Sequence, residues 1–371
     1  MKILHILPSY GYGGGVASLV YDLCEVHRQM GHDISLLMTA NHVKLNVNGD
    51  RFEKIGVKLM HSCCHPYSPL QIMKMRQAMI GTDVTHVHLF PNQLYAAIAW
   101  LTIPKKKRPK LITTEHNTYN NRRKHHIFKF LDLWMYSRYD KVICISNKTE
   151  YNLNIWLKSS KLQQRILTII NGININKFKN ASNKLPQLLT LNPNNRYIVM
   201  VGRLTHPKDP LTIVRALALC KRNVHLIFIG RGELADDIKN ESAHLEISNR
   251  VHLLGRQENV AELIKGCDIG VLSTQWDGFG LVAAEYMAAG IPVLASDVDG
   301  LRDVVGRPDL LFPVKNHIRL AELITKLLDD SDRYRSMQLY CINKVEEFSH
   351  TNMGFKYMRI YQNNKISDLH I

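Results

Sequence analysis

Residues Asp277-Gly278-Phe279-Gly280-Leu281-Val282-Ala283-Ala284-Glu285-Tyr286-Met287-Ala288-Ala289-Gly290-Ile291-Pro292-Val293 carry one complete strand-to-strand crossover. A β-branched run over 269–272 precedes them, and a second apolar run follows over 292–295. Between the two lie a glycine loop and a helical segment that stops at Gly290. Strand, loop, helix, strand is the repeating unit of a parallel sheet. Ligands of such sheets sit beyond the carboxyl ends of the strands, where helix N-termini offer unpaired N–H groups to anions. The spacing therefore aims Asp277 out of the loop and sets the amides from Gly278 to Leu281 against a phosphate. Glu285, in the second helical turn, is placed to accept hydrogen bonds from two vicinal hydroxyls.

The same alternation fills the chain. Strands are expected at 3–7, 34–38, 84–88, 111–114, 141–145 and 166–170, then again at 198–201, 224–229, 251–254, 269–272, 292–295 and 310–312. A chain of 371 residues suits two α/β domains. The polar stretch 180–195, with Pro186 and Pro193, reads as the linker between them. The expected division is an N-terminal Rossmann-like domain over 1–180 for the acceptor and a C-terminal one over 181–350 for the donor. A C-terminal helix within 351–371 follows, with the N-terminal domain as its expected docking side.

Other strand ends hold further candidates. Gly11-Tyr12-Gly13-Gly14-Gly15 lets backbone approach a phosphate or sugar closely, although it misses the dinucleotide-binding spacing and a tight turn explains it equally well. His116 leaves the top of the strand at 111–114, where it can bond a sugar hydroxyl or a developing charge. Gly202-Arg203 and Lys208 follow the first strand of the second half. Arg203 can grip two phosphate oxygens and Lys208 adds a point charge, which suits a diphosphate. Each of these cations, taken singly, also reads as a solvated surface charge.

Together, Gly202-Arg203 with Lys208 and the stretch from Asp277 to Val293 resemble the signature of glycosyltransferase family 4. His86-Val87-His88, Asn171-Gly172, Ile229-Gly230-Arg231-Gly232-Glu233 and Gly255-Arg256 also have counterparts there. The resemblance implies the GT-B fold, two Rossmann-like domains with parallel sheets facing across a cleft. It implies retaining transfer of a sugar from a nucleotide-sugar, with UDP the commonest nucleotide. By it Arg203 and Lys208 hold the donor diphosphate, Glu285 the ribose, and the amides of Gly280 and Leu281 the β-phosphate. Asp277 and Phe279 lie at the donor sugar, Gly278 among the donor-binding loop residues, Arg256 near the base, Gly14 in a phosphate-facing loop, and His116 matches the active-site histidine. The family's first motif glutamate is aspartate here, Asp277, one carbon shorter.

Charge is unevenly distributed. Residues 1–180 hold 25 Lys and Arg against 10 Asp and Glu, whereas 181–371 hold 23 against 22. An anionic partner for the first half is therefore expected. Arg122-Arg123-Lys124 runs into an aromatic and aliphatic segment, the composition of an interfacial helix on anionic lipid. A core helix with a charged first turn is the plain alternative. The expected partners are a nucleotide-sugar, a lipid-linked saccharide acceptor and an anionic membrane surface, with no nucleic acid. The expected location is cytoplasmic, peripheral on the inner face of the membrane. The longest apolar stretch, 94–103, falls short of the ~20 residues that span a bilayer.

Seven scattered cysteines suggest reduced thiols. His61-Ser62-Cys63-Cys64-His65 lacks metal-ligand spacing, and Asp297-Val298-Asp299 reads as a turn, so no metal and no cofactor is expected. The competing readings are a nucleotide-sugar 2-epimerase of the same fold and a basic nucleic-acid-binding module, for which no motif is present.

Overall fold

The computed structural model describes residues 1–8, 15–40, 49–118, 120–185, 192 and 194–362. It divides into two units, Met1–Gly172 with His350–Ile371, and Ile173–Ser349.

The first unit holds a seven-stranded parallel sheet in the order β3-β2-β1-β4-β5-β6-β7. Its strands are β1 Lys2–Leu7, β2 Asp33–Met38, β3 Lys58–His61, β4 Val84–His88, β5 Lys110–Glu115, β6 Lys141–Cys144 and β7 Ile166–Thr168. The inner strands are buried along nearly their whole length because helices cover both faces. Ile3, Leu7, Leu36 and Met38 join the core under helices Gly15–Gln29 and His350–Tyr361. Leu4, Ile6, Leu37 and Val87 point the other way, toward Leu70–Met79, Asn92–Leu101, Ile127–Tyr136 and Asn147–Leu157. The chain reverses its direction of travel between β1 and β4.

The second unit repeats the plan with six parallel strands in the order β10-β9-β8-β11-β12-β13. These are β8 Arg196–Val201, β9 Val224–Ile229, β10 Val251–Leu253, β11 Ile269–Leu272, β12 Val293–Ser296 and β13 Leu311–Phe312. Here the switch falls between β8 and β11, the place where open parallel sheets bind ligands.

Two expectations change. The strand β3 was absent from the sequence reading. It has four residues, lies at the sheet edge and is only partly covered, so its apolar signal is short. The domain boundary moves from 180 to 172. Helix Ile175–Lys179 buries Ile175 and Phe178 and packs on helices Val260–Ile264 and Leu281–Ala288, so residues 173–180 belong to the second unit. The last helix is His350–Tyr361, and it packs against Gly15–Gln29 in the first unit. Residues 186–191 and 193 of the expected linker lie outside the described residues. Among the described residues no helix is long and apolar enough to cross a membrane.

Candidate active site

Two loops of the second unit meet at the switch point. After β8 the chain passes Gly202, Arg203 and Leu204 into a single turn, His206–Lys208. After β11 it passes Ser273 to Gly280 before helix Leu281–Ala288 begins. Side chains join the loops. The Ser273 hydroxyl contacts the carbonyls of Lys208 and Asp209 at 3.0 and 2.7 Å. The Thr274 hydroxyl and the Gln275 amide donate to the Pro207 carbonyl at 2.9 and 2.8 Å. This zipper brings two sequence candidates, Lys208 and Asp277, to 2.6 Å, Nζ to Oδ2. The other carboxylate oxygen accepts from the amides of Phe279 and Gly280 at 3.2 and 3.0 Å. Burial alone would raise the Asp277 carboxyl, but the Lys208 ammonium and those two amides hold it below its ordinary value.

The loop's backbone path needs glycine at its end. Gly280 has φ +78° and starts the helix, and a Cβ there would stand 2.5 Å from Leu301. The turn after β8 is wedged as tightly. A Cβ on Gly230 would meet the Gly202 carbonyl oxygen at 1.8 Å. Gly202 N donates to Ile229 O and Gly230 N to Gly255 O, at 3.0 and 2.8 Å, so the ends of β8, β9 and β10 are stitched backbone to backbone.

The remaining candidates of this unit sit as follows. Arg203 is exposed and, among the described residues, has no ion-pair partner. Glu285 lies one helical turn below the loop, part exposed. Burial pushes its carboxyl up to about 7, against the pull of Lys177. Arg256 is exposed just beyond β10, and Gly278 and Leu281 are half-buried at the loop. The Phe279 ring is 5% exposed and packs edge-on against Phe348, so only the backbone of Phe279 faces outward chemistry. The Gly280 amide, expected to meet a phosphate, is engaged by Asp277. A cavity lined by Arg196, Lys221, Asn223 and Asp329 lies at the opposite, amino end of the sheet. The chemistry-bearing side chains are not there.

In the first unit, His116 follows β5 and is 8% exposed. Its Nε2 lies 3.0 Å from Nδ1 of His88, whose Nε2 lies 3.2 Å from Nδ1 of His5. The register explains the row: His5 pairs with His86 across β1 and β4, and His88 shares their face. The sequence reading singled out His116 and missed His5. The available signal was a histidine inside an apolar strand beside a second strand with histidines two apart. Gly14 lies outside the described residues.

The basic cluster does not stand as expected. Arg122 pairs with Asp132 at 3.1 Å and lies 3.7 Å over the Phe90 ring; Arg123 pairs with Glu115 at 3.2 Å. Their side chains are only 13% and 10% exposed, so neither is a free cation for a lipid phosphate. The acids that hold them, Asp132 and Glu115, are two of the ten in the basic half, and desolvation makes pairing obligatory there. Lys124 is exposed. Of the two metal-like motifs, the acids of one are already paired. Arg302 pairs with both Asp297 and Asp299, at 2.7 and 3.2 Å. Cys63 and Cys64 are free thiols beside a His65 whose Nδ1 accepts from the Tyr67 amide.

Comparison with known proteins bears on the fold and the family. The profile described as Glycosyltransferase Family 4 matches residues 13–177, and that described as Glycosyl transferases group 1 matches 182–344. The chain is 26% identical to an Escherichia coli UDP-Gal:alpha-D-GlcNAc-diphosphoundecaprenol alpha-1,3-galactosyltransferase, over 66% of this chain and 63% of that protein. It is 24% identical to the Bacillus anthracis N-acetyl-alpha-D-glucosaminyl L-malate synthase, over 97% of each. Among solved structures it is similar to Anabaena Alr3699/HepE in complex with UDP and glucose. That match has a TM-score of 0.83 and 20% identity, covering 98% of this chain and all of that one. None of these matches supports an epimerase. Two parallel-sheet Rossmann-like units, their strand-end loops and both matched profiles lead to one statement: the chain belongs to glycosyltransferase family 4, enzymes of the GT-B fold.

Proposed function

We propose that the chain is a retaining glycosyltransferase that takes a sugar from a UDP-sugar and passes it to a lipid-linked saccharide at the cytoplasmic face of a membrane. The observation that carries the donor site is the Lys208–Asp277 pair at the switch point of one sheet, with Arg203 on the loop of Lys208 and Glu285 on the helix that follows the loop of Asp277. Arg203 and Lys208 neutralise the diphosphate, Glu285 accepts from the ribose hydroxyls, and Arg256 lies toward the base. Leu281 offers a backbone amide at the helix start, and Asp277 turns toward the sugar when the diphosphate draws Lys208 away. The bond from the sugar's anomeric carbon to the phosphate oxygen breaks, and its electrons go to the diphosphate. The acceptor hydroxyl attacks the same face, and its proton passes to the departing oxygen. Charge stabilisation by these two cations does this work without a metal. His116, at a strand end of the first unit, offers a hydrogen bond to a saccharide hydroxyl.

Glu285 gives the donor site a pH signature. Hydroxyl donors favour its charged form, and a carboxyl with a pKa of about 7 is charged only above that pH. Affinity for a UDP-sugar, whose esterified diphosphate does not titrate in this range, should fall about tenfold from pH 8 to pH 6. Glu285→Gln should flatten the profile. A steep profile surviving in that variant would remove Glu285 from the site.

For the acceptor, the name of the E. coli relative specifies a diphosphoundecaprenol-linked sugar, while that of the B. anthracis relative specifies malate. What favours a lipid here is helix Ile127–Tyr136. Ile127 and Phe130 are 76% and 77% exposed, beside the exposed Lys124. Apolar residues flanked by cations suit an anionic bilayer surface. The test supplies UDP-sugars and a diphosphoundecaprenol-linked saccharide in anionic vesicles and reads the product anomer by NMR. Retention is expected, and Ile127→Ser with Phe130→Ser should lower transfer about tenfold, the equivalent of one buried side chain. An inverted product would end the retaining mechanism, and unchanged vesicle binding by the double variant would end the membrane contact.

A further inference from the structure

The histidine row of the first unit has a polarity. His5 Nδ1 faces His88 Nε2 at 3.2 Å, and His88 Nδ1 faces His116 Nε2 at 3.0 Å. His5 and His88 have no exposed surface. Burial pushes His116 down to about 3, and burial together with His27 does the same to His5. Burial, then the neighbouring histidines, takes His88 well below its ordinary value. Three neutral rings carry three protons, one each, and two hydrogen bonds join them. Only two arrangements fit. In the first, His5 donates to His88, His88 donates to His116, and the third proton sits on Nδ1 of His116. In the second, every bond is reversed and the third proton sits on Nε2 of His5.

The two differ in what they leave behind. Nε2 of His5 is buried with no hydrogen-bond partner among the described residues. The second arrangement would place an N–H there, and orphaned buried N–H groups are rare. The first leaves only a lone pair there and puts the N–H on the one ring of the three that keeps exposure. His86 stands outside the row. Both its nitrogens are engaged, Nδ1 with the Tyr361 hydroxyl at 2.6 Å and Nε2 with Thr114 at 2.8 Å. The cluster of His5, His86 and His88 could hold an ion only by breaking these bonds.

We infer that the buried pair His5 and His88 holds His116 as the neutral Nδ1–H tautomer, so that His116 presents a hydrogen-bond donor at the strand end of the first unit. Its Nδ1 has no lone pair for a proton, so it is not a general base there. His5 and His88 are positioning residues that act through His116. The inference rests on the geometry of this row alone.

The test uses full-length protein labelled with nitrogen-15 histidine, with the His116 signals identified by their loss in His116→Gln. Long-range proton–nitrogen correlation in the ligand-free chain should show His116 protonated at Nδ1 from pH 6 to pH 8. In His88→Phe the signal should shift toward a mixture of tautomers. A wild-type His116 protonated at Nε2 overturns the inference, and needs no variant to fold.

Discussion

Lys208→Ala should lower turnover of the nucleotide-sugar by about 10²–10³-fold, the usual effect of removing one fixed charge from a site where charge develops. Lys208 does two things. It is placed for the departing diphosphate, and in the resting protein it holds the Asp277 carboxylate at 2.6 Å. Removing it leaves a carboxylate whose burial alone would raise its pKa. The folded Asp277 is held below its ordinary value, so its contribution to stability is present at neutral pH and lost as pH falls through the folded pKa. In Lys208→Ala that acid-side loss should vanish, because the pairing is gone. Adding Asp277→Asn should recover about 1 kcal/mol of any lost stability while turnover stays low. Turnover within threefold of wild type in Lys208→Ala would take this residue out of the reacting centre.

Gly230→Ala should be the most damaging small substitution in the second unit, although Gly230 touches no proposed ligand group. Its Cβ would sit 1.8 Å from the Gly202 carbonyl oxygen, at a φ of +150° that side chains rarely adopt. The neighbour cannot yield cheaply, since the Gly202 amide is bonded to Ile229 O at 3.0 Å. Overpacking and backbone strain together cost roughly 3 kcal/mol or more. For a unit of this size that lowers Tm by about 6–12 °C. The residue pushed aside is the one before Arg203, so donor affinity should fall at temperatures where the variant is still folded. Gly31→Ala is the control. Its φ is +80° but nothing lies within 4 Å of the added carbon, leaving only about 1–2 kcal/mol of strain. Equal melting of the two variants would mean the stitched turns do not govern the site.

The parts of this structure legible in the sequence were those with a local signal. A β-branched run closed by a glycine loop and a helix stop marked β11, β12 and the loop between them. The long-range pairings had no such mark. Lys208 and Asp277 were each singled out, but nothing in sequence order announced that they would pair. The zipper that pairs them uses Ser273 and Thr274, ordinary strand-end residues until the fold sets them against Pro207 and Asp209. Arg122 and Arg123 read as a basic surface because charge was counted along the chain. Asp132 and Glu115, which pair with them, come from a helix and a strand end. Strand β3 was too short and too exposed at the edge to show a period. The row from His5 to His116 spans three strands, and only the register of β1 on β4 shows that those rings share a face.

The most direct test of the donor site is a thermal-shift panel of UDP, GDP and ADP with their common sugars, with and without EDTA. We expect one nucleotide family to raise Tm, by an amount unchanged by EDTA and abolished in Glu285→Ala. If no nucleotide raises Tm in the wild-type chain, the assignment of Arg203, Lys208 and Glu285 to a donor diphosphate and its ribose is wrong.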